Sequence, residues 1–127
     1  MSGAGARLQQ AAMAALGAVP GLSGVHEEAP VQAAFPYAVV ETGSEADWGH
    51  KSGAGREVRL AAVLRDAGER AARLRELGAA AEAAIAGIGP ELAEWRLAGL
   101  VFLRSRLVRD GRGWALTVEF RARMLGV

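Results

Sequence analysis

A chain of 127 residues can build one modest core but not two comfortable domains, so residues 1–127 read as a single domain. A hydrophobic share of 51% excludes global disorder, and the absence of cysteine excludes a disulfide framework or a thiolate metal site. Net charge is +1, yet residues 1–50 set Arg7 against Glu27, Glu28, Glu41, Glu45 and Asp47, while every other basic residue lies in 51–127. Oppositely charged halves complement each other within one molecule, or between copies in a ring or filament.

Much of the apolar fraction is alanine, which predicts a thin core that association between copies would complete. No apolar run approaches the roughly 20 residues that cross a bilayer. The N-terminus lacks the charged and apolar regions of a secretory signal, so the expected place of synthesis is the cytoplasm.

Residues 1–5 read as a loose terminus. From Ala6 to Val19, Leu8, Ala12, Leu16 and Val19 recur at helical spacing, and Pro20-Gly21 stops the helix. Gly24 to Glu27 is a candidate for a very short strand. Tyr37 to Thr42 is rich in β-forming residues and reads as a longer one. The polar, glycine-containing stretch 43–55 reads as a flexible loop carrying Trp48, His50 and Lys51. Alternation resumes at Arg56, with Val58, Leu60, Ala62 and Leu64 facing one way and Glu57, Arg59 and Arg65 the other. Asp66-Ala67-Gly68-Glu69 has the spacing of a capping box, which predicts a helix from there to about Gly87. Its apolar stripe is Leu74, Leu77, Ala81, Ile85 and Ile88, with Glu69 and Arg73 as an i,i+4 pair.

The C-terminal stretch is the most informative. Leu97–Val108 and Trp114–Met124 read as two long strands folded back at Asp110-Gly111-Arg112-Gly113. Period-two alternation places Val101, Leu103, Leu107, Trp114, Leu116, Val118, Phe120 and Met124 on one face. The other face carries Arg104, Arg106, Arg121 and Arg123, with Glu119 as the acid among them and Phe102 as the one aromatic. Without interleaved stacking residues, sequence-specific RNA reading is not expected of it. The order of elements predicts an α+β fold: an antiparallel or mixed sheet of about four strands, with two helices packed on one face. The opposite face is then free for another chain or a polyanion.

Catalytic patterns are sparse. His26-Glu27-Glu28 matches no metal-ligand spacing, and none of the serines lies in a nucleophile elbow. Ser52-Gly53-Ala54-Gly55-Arg56 lacks the Lys-Ser/Thr of a phosphate-binding loop, and a strand rather than a helix follows it. No enzyme activity, cofactor or metal is expected. Trp48 stands out, because a tryptophan in a polar loop either folds back on its own domain or docks on a neighbouring subunit.

Several segments together carry a family resemblance. Phe35-Pro36-Tyr37-Ala38-Val39-Val40, Asp47-Trp48-Gly49, Gly55-Arg56-Glu57-Val58-Arg59-Leu60 and Asp66-Ala67-Gly68 come in order. The closing Arg104-Ser105-Arg106, Gly113-Trp114 and Phe120-Arg121-Ala122-Arg123-Met124-Leu125 complete the set. Over about residues 6–125 the chain resembles the tail terminator, or tail-completion, proteins of long-tailed phages and gene transfer agents, most nearly the α-proteobacterial gene transfer agent versions. The resemblance implies a small ring-forming subunit of a homohexamer that caps the tail tube, ends its polymerisation and joins it to the head-side connector. Double-stranded DNA would pass through without sequence recognition. The implied partners are further copies, the tail tube protein and the head-side stopper; the implied location is the bacterial cytoplasm and then the head–tail junction.

On that reading Trp48, His50, Lys51, Arg56 and Arg59 are the expected subunit or tail-tube contacts. Arg104, Arg106, Glu119, Arg121 and Arg123 are expected at the channel wall or in charge contacts between subunits. The rival reading is a small cytoplasmic dimer whose basic sheet face binds nucleic acid or an acidic protein, with affinity falling steeply as salt rises.

Overall fold

A computed structural model describes residues 3–127. In chain order the elements are α1 (Ala4–Gly17), β1 (Gly24–His26), β2 (Tyr37–Asp47), β3 (Gly55–Ala67), α2 (Ala72–Ala86), β4 (Glu91–Leu92), β5 (Trp95–Asp110) and β6 (Gly113–Gly126). They form an α+β fold with one mixed sheet in the order β1-β2-β3-β6-β5-β4. Only the β1–β2 pairing is parallel. The expected sheet of about four strands becomes six because two very short strands, β1 and β4, add to its edges.

Both helices pack on one face of the sheet. In β3 the alternation of the sequence survives intact: Val58, Leu60, Ala62 and Leu64 are buried against them. Leu116, Val118, Phe120, Ala122 and Met124 of β6 supply the centre. From α1 come Leu8, Ala12 and Leu16, and from α2 Leu74, Leu77, Ala81 and Ile85. Each fully buried leucine contributes about 1.5–3 kcal/mol. The stripe of α2 contributes its first four members to the buried core, whereas Ile88 lies just past the helix and is half-buried.

Several boundaries differ from expectation. Ala4 and Gly5, assigned to a loose terminus, open α1 and are buried; residues 1 and 2 lie outside the described part. The first helical N–H groups have no intrahelical acceptor. That of Gly5 donates to Glu45 Oε1 on β2, 3.0 Å away. A carboxylate there also complements the positive end of the helix. The stretch 43–55 is not all loop, since β2 continues to Asp47 through a bulge between Thr42 and Glu45 and β3 begins at Gly55. What remains is 48–54, in which His50 and Gly53 pair back on each other.

The capping box does not form. Asp66 belongs to β3, and α2 begins after Ala71 with no side-chain cap. Asp66 instead accepts hydrogen bonds from Arg73 Nε at 2.8 Å and Nη2 at 2.6 Å, tying the end of the strand to the first turn of the helix. The anticipated Glu69–Arg73 pair is thereby replaced, and Glu69 lies in the turn, where its carbonyl accepts from Trp114 Nε1.

The hairpin is longer than expected and turns through Gly111-Arg112 alone. Gly111 has φ 59°, the positive value that a type II′ turn requires at its first central residue. A bulge between Phe102 and Arg104 changes which β5 residues share a face. Phe102 lies opposite Phe120 on the helix side, and Val101 lies opposite Arg121 on the arginine side. The apolar assignment of Val101 and the arginine-face assignment of Phe102 are therefore exchanged. One extra residue in a strand inverts the alternation beyond it, and residue pattern alone does not reveal the insertion.

Candidate functional site

The sheet face turned away from the helices has no helix or strand packed on it among the described residues, although at its β1–β2 end Glu27, Glu28 and Ala29 lie beside Val39, Glu41, Val63 and Arg65. Odd-numbered positions of β3 and β6 point there, so Glu57, Arg59, Ala61, Glu119, Arg121 and Arg123 lie side by side on two central strands. The β5 bulge brings Arg104 and Arg106 onto the same face, opposite Glu119 and Thr117. The four hairpin arginines do share one surface.

Three of the four pair with an acid there. Arg104 Nε is 3.1 Å from Glu119 Oε2, and Glu57 Oε1 lies 3.0 Å from Arg123 Nε and 3.7 Å from Arg121 Nε. Arg121 Nε is buried with no hydrogen-bond acceptor among the described residues, which makes the nearby Glu57 charge matter more than it would in water. Arg59, directly across from Arg121, and Arg106 make no ion pair among the described residues.

Trp48 folds back onto its own domain. It is half-buried, meets His50 edge-on with ring centroids 4.9 Å apart, and lies under the Arg123 guanidinium at 5.4 Å. A cation over an indole face is attracted by the ring quadrupole. Gly55 permits this arrangement, since a Cβ there would sit 2.2 Å from the Trp48 carbonyl oxygen. A notch of about 210 Å³ lies between Trp48, Ala98, Gly99, Val101, Arg121 and Arg123. A second depression, of about 330 Å³, opens between Glu41, Gly43, Arg59 and Glu119. Lys51 sits exposed in the loop turn. Arg56 is on the helix side, in register with Met124 and 3.8 Å from Glu45.

The structure thus gathers Trp48, His50, Arg121 and Arg123 at one end of the bare face and places Arg59, Arg104, Arg106 and Glu119 along it. Arg56 is separated from them. Glu57 is the organising acid that sequence reasoning did not single out. Its outward orientation was legible from alternation, but its role depends on β3 pairing with β6, which residue spacing does not specify. Among the described residues, no group of three or more His, Cys, Asp or Glu side chains could hold a metal ion.

With this geometry in place, comparison with known proteins is decisive. Residues 6–125 match the family described as tail completion protein gp17. The chain belongs to that family. No curated protein matches it. It is also similar to a chain in the solved virion of a native gene transfer agent particle, at 28% identity and a TM-score of 0.67, over 98% of this chain and all of that one. Membership assigns it a structural role in a phage-type tail. No helix among the described residues is long and apolar enough to cross a membrane.

Proposed function

We propose that the protein is the ring-forming subunit that terminates the tail of a gene transfer agent or phage-like particle. Six copies close into a ring, cap the finished tail tube, end its polymerisation and present the surface to which the head-side connector joins. DNA passes through the ring without being read, and the subunit performs no chemistry. The observation that carries this reading is the family match across 6–125, together with end-to-end similarity to a chain of an assembled gene transfer agent virion.

The bare sheet face fits the role, because a surface crossed by internal ion pairs suits protein contact and undirected DNA passage better than tight DNA capture. Trp48, His50, Lys51, Arg56 and Arg59 are assigned to contacts with a neighbouring subunit or the tube. Arg104, Arg106, Glu119, Arg121 and Arg123 are assigned to the channel wall or to charge contacts between subunits. Deleting the gene in producing cells tests the function. The reading expects tails of uncontrolled length and heads left unjoined; normal, joined particles would contradict it.

A further inference from the structure

Both long edges of the sheet are uncovered over most of their length. β1 pairs with β2 only along Tyr37–Val39, leaving the edge from Glu41 to Asp47 without a strand partner among the described residues. β4 pairs with β5 only at Trp95 and Arg96, and Leu97 N–H donates to Pro90 O, which leaves Ala98–Asp110 without an outer strand partner among the described residues. Monomeric proteins protect such edges with charged side chains (Lys above all), Pro, bulges, short length or a covering segment. The β5 edge has neither Lys nor Pro, and it holds Val101, Phe102 and Val108 among the exposed large apolar side chains. Its bulges bend it without covering it.

The two edges are opposites. The β2 edge carries Glu41, Glu45 and Asp47, and the β5 edge carries Arg104, Arg106 and Arg109. Glu41 and Arg106 are exposed on the same bare face, and neither forms an ion pair among the described residues. Strand direction agrees with charge. The pairings β2–β3, β3–β6 and β6–β5 are all antiparallel, so β5 runs opposite to β2. A second copy placed beside the first therefore sets β5 against β2 in an antiparallel sense. A two-fold contact would instead set arginine edge against arginine edge, or acid against acid, and like charges facing across strands repel.

We propose that the β5 edge of one copy pairs antiparallel with the β2 edge of the next, joining the sheets head to tail. The occupant of each edge is a second copy of this chain, through main-chain hydrogen bonds steered by Glu41 and Arg106. A heterologous contact of this kind generates a ring when its rotation closes. The inference rests on the ring reading and specifies its interface.

The test uses the natural absence of cysteine. Ser105→Cys, on the helix side of β5, is combined in turn with Thr42→Cys, which faces the same side on β2, or with Ser44→Cys in the adjoining bulge, and each double variant is oxidised as the assembled protein. A covalent ladder beyond the dimer is expected from at least one combination, with the single-cysteine controls stopping at the dimer. Hydrogen exchange on the unmodified assembled protein is the second measurement, and it decides alone if the cysteine variants fail to assemble. Outward amides of both edges should lose their fast-exchanging class and match the central strands β3 and β6. Intact oligomers with no ladder from any combination, or with outward amides still fast, overturn the edge pairing and leave the ring standing. A protein that stays monomeric and is missing from particles overturns the ring and the pairing together.

Discussion

Asp66 shows how a single residue links the pH to the fold. It is 3% exposed, and hydrogen bonds from Arg73 hold its carboxyl below the ordinary value of 3.8, with the Ala67 N–H helping and burial opposing. A carboxylate whose folded-state value is depressed adds stability above its unfolded-state value, and that stability drains as pH falls through the folded-state value. The melting temperature of the unmodified protein should therefore exceed that of Asp66→Asn at neutral pH, with the gap closing as pH drops below 3.8. A gap that is unchanged or widens in acid would show that the ion pair is not responsible. Phe120 offers a check on packing. Its side chain is 1% exposed at the centre of the sheet, so Phe120→Ala should cost about 3–5 kcal/mol in urea denaturation.

The loop between β2 and β3 and the C-terminal hairpin are the elements on which the proposed contacts depend. Gly55→Ala would drive a methyl group into the Trp48 carbonyl, so it should lower the melting temperature and disturb Trp48 packing under Arg123. Near-ultraviolet circular dichroism reads that change; an unaltered spectrum and melting point would mean the loop adjusts without Trp48. These elements also show what the sequence made legible. Strict alternation identified β3 and the buried side of β6, because each such residue either meets the helices or does not. The hairpin was legible from its Gly-containing turn. Asp66 misled because a carboxylate three residues before Glu satisfies the capping pattern whether it ends a strand or begins a helix. Val101 and Phe102 exchanged faces because of a bulge, and the pairing of Glu57 with Arg121 and Arg123 arises from tertiary register. The arginine face was foreseeable from pattern; its internal ion pairs were not.

At the scale of the whole molecule, the tail-completion family fixes a structural role, and the charge layout gives that role a physical form. Glu57 and Glu119 pair with three of the arginines on the bare face. The Glu57→Gln/Glu119→Gln variant should accordingly bind duplex DNA more tightly than the unmodified protein at low salt, with a steeper loss as salt rises. Fluorescence anisotropy across a salt series measures this. Tight, steeply salt-dependent binding by the unmodified protein would favour the dimeric binding module instead. The central claim is the ring at the head–tail junction, and electron microscopy of particles from producing cells tests it most directly. A six-fold ring whose density fits this subunit is expected at that joint; intact joints without the protein would contradict it.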